Sequence, residues 1–334
     1  MSRPRFRSTT MRRSGRWGLA LVLILGAVSL AAPLLTPHAP ETQFDPAVAR
    51  YLPPLSSSLA VQLRDGRWLL AHSIQPVDGG LQLHRLGRPR IVSRADLASP
   101  DSEPAGQTLF FPLGTDKLGR DLWSRIVFGA RISLAIGLLA TAISLIVGVV
   151  VGAVAALSGR WIDAILMRLV DALLMFPRLF LILVLAVLTG AQFWVVILVL
   201  GLTGWMSVSR LIRAELLSLR ETDYVLAAHA IGQHPLRVFS RHMLPAAMSP
   251  VLVDISLRVG AVILIEAALS FLGLGVQPPT PSWGNIIADG VDALSSAWWV
   301  TTFPGLAISA TVVAFNLLGD GLRDLLDPRQ HSSP

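Results

Sequence analysis

Long apolar runs are the sequence feature that most constrains this chain. Six stretches are each close to or above the roughly 20 residues needed to cross the hydrocarbon layer of a bilayer. They cover residues 17–35, 132–157, 162–189, 193–214, 248–275 and 300–319. Because lipid cannot satisfy backbone N–H and C=O groups, each run predicts a transmembrane helix. The chain is 53% hydrophobic and only 15% charged, which lies outside the range of soluble globular proteins. We therefore predict an all-α integral membrane protein with six transmembrane helices.

The first run follows an arginine-rich N-terminus and precedes a segment of different composition. Arginine occurs at Arg3, Arg5, Arg7, Arg12, Arg13 and Arg16, which predicts a cytoplasmic N-terminus. A cleaved signal peptide is the alternative, but the run is long for one, which favours a retained helix. Residues 36–112 contain prolines, short alternating stretches and a Gly79-Gly80 turn, which predict a small, partly β extracytoplasmic insertion. A cap or docking surface is favoured there over a separate binding module.

The arginines of the later loops predict the topology. Residues 276–300 contain no Lys or Arg and only Asp289 and Asp292 as charges. Residues 158–178, 209–242 and 320–334 instead contain Arg160, Arg168, Arg178, Arg210, Arg213, Arg220, Arg237, Arg241, Arg323 and Arg329. Since cytoplasmic loops carry the excess of positive charge, this pattern predicts that these segments and both termini are cytoplasmic.

One polar interruption, residues 224–245, has the pattern of two short helices joined by a bend. Residues 224–231 are good helix formers, with Asp223 as a candidate N-cap and Gly232 where a left-handed residue would end the helix. Pro235 suits the first position of a second helix, and Pro245 is expected to close it.

Ala227, Ala228, Gly232, Leu244 and Pro245 have the spacing of the "EAA" loop, by which membrane subunits of bacterial ATP-binding-cassette importers contact their ATPase. The chain departs from that pattern at Leu226, where the loop has Glu, and at His242, where it has Ile. The segment 241–245 is more similar to the dipeptide, oligopeptide and nickel branch. Residues 113–134, 269–285 and 303–329 also resemble that branch, so the resemblance covers residues 113–329.

This resemblance implies a type I ABC-importer permease fold in the bacterial inner membrane. It implies a C-type permease that imports di- or oligopeptides, or a related solute such as nickel. Its expected partners are a homologous second permease, two ATP-binding-cassette ATPase subunits, an extracytoplasmic solute-binding protein and membrane lipid. The residues that the resemblance assigns to ATPase coupling are Tyr224, Leu226, Ala227, Ala228, Ala230, Gly232, Leu244 and Pro245.

Motifs for catalysis are missing from the sequence. The single lysine, Lys117, is not in a Gly-Lys-Ser/Thr loop, so we expect no cofactor on this chain and ATP-Mg on the partner ATPases. There is no cysteine, and neither His-Glu-x-x-His nor Gly-x-Ser-x-Gly occurs, so no catalytic residue is expected. His229, His234 and His242 are interpreted as polar surface rather than metal ligands. The arginines are interpreted as topology signals rather than as a nucleic-acid surface.

Charged residues inside the apolar runs, or directly before one, lead to three further predictions. Asp254 and Arg258 are four residues apart and are predicted to pair. Glu266 has no partner within its own helix, which makes it a candidate for the translocation path; a hydrogen bond to the other permease is the alternative. The charged stretch 113–131 is predicted to form an interfacial elbow helix; direct contact with the substrate is the alternative.

Two packing features are also predicted. Gly148, Gly152 and Ala156 form a small-residue stripe that would allow close helix packing. The span at residues 162–189 is predicted to bend near Pro177.

The predicted domains are 1–35, the insertion and elbow 36–131, a five-helix core 132–319 with the coupling loop 215–247, and the tail 320–334. A secondary transporter, with inverted repeats, and a membrane enzyme are the alternative functions.

Overall fold

The computed structural model describes residues 13–85, 87–98, 106–190 and 192–326. Arg3, Arg5, Arg7, Arg12 and Arg329, which entered the topology prediction, lie outside these residues. Residue contacts divide the chain into two compact units. Unit 1 contains Leu134–Leu269 together with segments from both ends of the chain, and unit 2 contains Ala27–Ser133 and Ser270–Ile308.

Helices account for most of the described chain. They are α1 Arg13–Leu30, α2 Ala32–Leu35, α3 Pro46–Ala49, α4 Leu122–Leu157, α5 Arg160–Leu174, α6 Arg178–Thr189, α7 Phe193–Leu202, α8 Trp205–Arg220, α9 Asp223–Ala230, α10 Pro235–Val238, α11 Leu244–Phe271, α12 Trp283–Gly290 and α13 Trp299–Leu326. Two 3₁₀ turns, Arg94–Asp96 and Val291–Ala293, and a π-helical segment, Phe239–Met243, complete the helical structure.

Among the described residues, four helical segments are long and apolar enough to cross a membrane: α1, α4, α7 with α8, and α13. A fifth span results if α5 and α6 count as one, since they pass the same test together with a bend of 83° between them. The break covers residues 175–177, so the predicted bend near Pro177 is confirmed. Helix α11 has 28 residues but contains Asp254, Arg258 and Glu266, and it is not among these segments. The count of six therefore stays a prediction.

The start of α4 differs from the sequence prediction. Residues 113–121 form a turn, and residues 122–131 are the first part of one 36-residue helix rather than a separate elbow helix. The interfacial position of this stretch stays a prediction. Asp121 lies at the N-cap position, where its Oδ2 accepts a hydrogen bond from the Ser124 N–H at 3.1 Å. The helix therefore begins at Leu122, ten residues before the predicted span at residue 132. Asp121 caps its first turn, and the charged side chains around the cap are paired with one another.

Those paired charges form a buried network in unit 2, which we call the ion network. It consists of Asp116, Lys117, Arg120, Arg125 and Asp289. Asp116 Oδ2 accepts from Arg120 Nε at 2.6 Å and also from Arg125. Asp289 Oδ2 accepts from both guanidinium groups at 2.9 Å. The network joins the turn before α4 to α12, which explains why charges in this stretch are compatible with burial.

The insertion contains the strands β1 Ser56–Gln62, β2 Trp68–Ala71, β3 Ser73–Val77, β4 Gly80–Arg85, β5 Arg88–Ser93 and β6 Gln107–Phe111. They form two antiparallel three-stranded sheets with the orders β2-β1-β6 and β3-β4-β5. The predicted turn at Gly79 and Gly80 joins β3 to β4, with Gly79 at φ +82°. The partly β character predicted from composition is therefore confirmed.

The small-residue stripe packs against α8 inside unit 1. A Cβ on Gly148 would lie 2.5 Å from the Val208 side chain, and one on Gly152 would lie 2.5 Å from the Ser209 carbonyl oxygen. Neither position accommodates a larger residue, because a Cβ on either glycine would also approach a backbone oxygen too closely. These oxygens are Trp205 O, 2.9 Å from the Cβ on Gly148, and Ser209 O, 2.5 Å from the Cβ on Gly152. The sequence pattern therefore predicted a real close helix approach.

Candidate functional site

Helix α9 is a single two-turn element with a defined stop. Its N-cap is Thr222, in an extended conformation, so the predicted cap at Asp223 is wrong by one residue. At the other end Gly232 has φ +80°, as predicted. The Gln233 N–H donates to the Ala228 carbonyl at 3.1 Å, and the Gly232 N–H donates to the His229 carbonyl at 2.9 Å. These two bonds are the Schellman arrangement, which satisfies the last carbonyls and turns the chain sharply.

The second helix begins as predicted but does not end as predicted. His234 is the N-cap of α10, with Nδ1 accepting from the Leu236 N–H at 3.4 Å, and Pro235 is its first residue. After four residues the chain continues through the π-helical segment directly into α11. Pro245, the second residue of α11, therefore does not close a helix. It is tolerated there because prolines fit the first helical turn, and the Leu244 N–H donates to the Phe239 carbonyl in the wider π pattern.

Part of α9 packs against other helices of unit 1, and this packing fixes the position of α9. Val225 is fully buried and Ala228 nearly so. They belong to a hydrophobic cluster whose other members include Ile212, Leu216, Val238, Met243, Ala247 and Val251. Ala228, predicted from the resemblance to belong to the coupling surface, thus faces its own chain. Its function in this structure is to seat the helix, because a small residue is needed for the close packing.

The other side of α9 and the following bend expose apolar side chains. We call this surface the outer face; it consists of Tyr224, Leu226, Ala227, Ala230, Ile231 and Leu236. Leu226 is 52% exposed, Ile231 75% and Leu236 66%. Such exposed, adjacent apolar residues on a rigid element are typical of a surface that binds a partner. Of the remaining predicted residues, Leu244 is half-buried and Pro245 exposed.

Ile231 and Leu236 are members of the outer face that the sequence analysis missed. The sequence contained a signal for them, since both are large apolar residues that directly flank the bend at residues 232–235. His229 and His234 are exposed beside them. Among the described residues no group of three or more His, Asp or Glu side chains could hold a metal ion.

The charged residues of α11 have separate surroundings. Arg258 Nη2 and Nε donate to Asp254 Oδ2 at 2.7 and 3.0 Å, so the predicted pair is confirmed. Glu266 is fully buried, and it takes part in a polar or electrostatic interaction within the chain. Its contribution to a translocation path stays a prediction.

The family described as "Binding-protein-dependent transport system inner membrane component" matches residues 144–332, more than half of the chain. The chain belongs to this family. The family description places it in the inner membrane, as a component of a transport system. A second description, "N-terminal TM domain of oligopeptide transport permease C", matches residues 7–54.

Named relatives agree with this membership. A putative peptide transport system permease protein of Brucella suis is 45% identical over 227 residues, which cover 68% of this chain and 76% of the relative. The dipeptide transport system permease protein DppC of Bacillus subtilis is 41% identical over 242 residues, covering 72% and 75%. The chain is therefore similar to permease subunits along most of their length.

A solved structure supports the fold. Inward-facing conformations of the MetNI methionine ABC transporter include a chain with a TM-score of 0.52 and 17% identity, covering 61% of this chain and 96% of that one. This identity is too low to support more than the fold. The type I ABC-importer permease fold predicted from the resemblance is confirmed.

Proposed function

We propose that this chain is the C-type permease of an ATP-driven importer of di- or oligopeptides. The observation that carries the proposal is the outer face, an apolar surface on a short helix that its own chain holds rigidly. The named peptide and dipeptide permease relatives support the substrate class. The complex would contain a second, homologous permease, two ATP-binding-cassette ATPases that bind ATP-Mg, and an extracytoplasmic solute-binding protein.

The outer face would bind a groove of the ATPase, because an amphipathic helix with exposed apolar anchors is a common element of such contacts. The buried side of α9 would transmit movements of the ATPase to the other helices of this chain. Val225 and Ala228 fix the helix to the cluster that includes Ile212 and Leu216 of α8. A displacement of α9 by ATPase closure would therefore move the core helices as a body rather than bend the loop. That movement would shift the permease between alternative open states. In this chain no covalent bond would form or break.

The proposed topology has six spans, with both termini and α9 in the cytoplasm. Helix α11, which lies before α13 in the chain, would be the additional span that raises the count from five to six, in spite of its three charges. Asp254 and Arg258 neutralise each other, and Glu266 is completely buried, so none of the three needs to face lipid. The two sheets of the insertion would then be extracytoplasmic, where they could cap the permease or receive the solute-binding protein.

Leu226→Asp tests the coupling proposal in the complete purified transporter. A charge in the middle of an apolar contact should weaken ATPase binding about tenfold or more, because buried anchors dominate interface energies. Leu226→Met is the matched control, since it keeps the volume and the apolar character. The measurements are ATPase co-purification and ATP hydrolysis stimulated by peptide-loaded binding protein.

Normal coupling by Leu226→Asp would show that α9 is only a connector. The substrate class is tested separately, by uptake of a labelled dipeptide into proteoliposomes that contain ATP. Uptake that requires an ion gradient and no ATP would support a secondary transporter instead.

A further inference from the structure

A cavity of about 220 Å³ lies inside unit 1, at a place where two helical segments are interrupted. Its lining includes Phe176, Pro177 and Arg178 at the α5–α6 break, and Thr203 and Ser207 at the α7–α8 break. Both breaks lie in segments that are apolar enough to span a membrane. Non-helical backbone in such segments is tolerated where it lines a polar cavity, because lipid cannot satisfy the freed backbone groups.

Arg178 is the unusual residue of this cavity. Its Nε and Nη2 atoms are buried, and neither has a hydrogen-bond partner among the residues that the structure describes. Two other arginines in this chain are instead paired with carboxylates. Arg213 binds Asp163 through two nitrogens, and Arg125 binds Asp116 and Asp289. A guanidinium with two buried nitrogens that no anion contacts is costly, so such a group is expected where an anion binds.

A second guanidinium adds positive charge at the same place. Arg258 Nη1 donates to the Gly204 carbonyl at 3.4 Å, and a Cβ on Gly204 would lie 3.4 Å from Arg178 Nη2. Asp254 neutralises Arg258 on its other side. Arg178 therefore contributes a positive charge that no described carboxylate balances, and a like charge lies close to it.

We propose that this cavity binds the carboxylate of the transported peptide during its passage. The volume suits a carboxylate with its nearest atoms and a few waters, because a water occupies about 30 Å³ and pockets for whole drug-sized ligands measure roughly 300–1,000 Å³. Arg178 offers Nε and Nη2 as a two-pronged donor, the geometry that carboxylates prefer. Ser207 donates only a long 3.4 Å bond to Gly204, so its hydroxyl can turn toward the anion. This inference rests on the proposed peptide import.

Direct binding of a labelled dipeptide to the complete transporter in nanodiscs, without binding protein, tests the site. Arg178→Gln should weaken binding about tenfold or more, since a hydrogen bond to a charged group is lost. Arg178→Lys should retain part of the affinity because it keeps the charge. Arg168→Gln, at an exposed position, is the matched control and should bind as the unmodified protein does. Acetate should compete with the dipeptide, whereas a C-terminally amidated dipeptide should not.

Three results would overturn the site. They are equal binding by Arg178→Gln and the unmodified chain, equal competition by the amidated dipeptide, and no dipeptide binding at all. A phospholipid that co-purifies with the unmodified complex and is lost with Arg178→Gln would identify a lipid phosphate as the anion and would also exclude the peptide carboxylate. ATP-driven dipeptide uptake, measured in parallel with binding protein present, separates the two hypotheses. Uptake without direct binding leaves the importer proposal intact and removes the site.

Discussion

Removing the carboxylate of Asp116 tests whether burial, rather than distance, makes an ion pair stabilising. Asp116 is 0% exposed, and its Oδ1 also accepts from the backbone N–H groups of Leu118 and Arg120, at 2.8 and 3.0 Å. In Asp116→Asn, an amide would replace a carboxylate that faces two nearly buried guanidinium groups. Breaking a buried pair from one side costs about 3–5 kcal/mol, because the remaining charges lose their partner.

Asp65→Asn is the matched control, since Asp65 lies in the same unit and its pair with Arg67 has the same length, 2.6 Å, as the Asp116–Arg120 pair. Both members of that pair are exposed, so solvent screens the interaction and we expect no measurable change. The assay is amide hydrogen exchange of residues 113–125 in the intact protein. A loss of about 3–5 kcal/mol should accelerate exchange from the opened state by roughly two to four orders of magnitude.

The acid dependence of the same network has a definite sign. Burial by itself raises the pKa of Asp289, but Arg125 and Lys117 lower it more, so the pKa lies below the ordinary value. A carboxyl group with a depressed pKa stabilises the fold above its unfolded pKa of about 3.9. That contribution is lost as the pH falls through the lower, folded value, so exchange should accelerate only below about pH 4. Equal exchange rates in Asp116→Asn and Asp65→Asn would refute the reasoning.

Two further predictions concern the proposed topology and α9. A reporter that works only in the cytoplasm should be active when fused after Gln233 and inactive after Gly290, and the opposite pattern would contradict the six-span topology. Ala228→Arg should lower the abundance of the folded protein, because the side chain would enter the hydrophobic cluster at Val225 and Val238. Ala230→Arg, on the exposed side of the same helix, should keep normal abundance and lose ATPase co-purification; equal abundance of the two variants would contradict this orientation of α9.

Local features of the fold could be predicted from the sequence wherever the backbone conformation or the size of a residue, such as a glycine or a proline, restricts the structure around it. Gly232 ends α9 with positive φ, and Pro177 coincides with the break in the second core span. Gly148 and Gly152 mark a close helix approach because a Cβ would overlap backbone atoms at 2.5–2.9 Å. The Asp254–Arg258 pair followed from spacing alone, since residues four apart lie on one side of a helix.

Features that depend on residues distant in the chain could not be predicted in this way. The role of Asp116 depends on Asp289, which is 173 residues away, so the charged stretch before α4 resembled an interfacial helix in sequence. Pro245 was expected to end a helix, but it is the second residue of α11, which directly continues the π-helical segment. Helical spacing likewise cannot tell which side of α9 is buried until the partner helix is placed.

The sequence by itself determined the class of protein, the broad position of its helices and the location of the α9 loop, because hydrophobicity and the restrictions on glycine and proline act locally. Only the tertiary structure decided that Ala228 faces inward while Ile231 and Leu236 face outward. It also decided that Arg178 lies in a cavity where no described carboxylate pairs with it, whereas Arg213 is paired with Asp163. The physical reason is that the energy of a buried side chain depends on what surrounds it, and the surrounding residues come from distant parts of the chain.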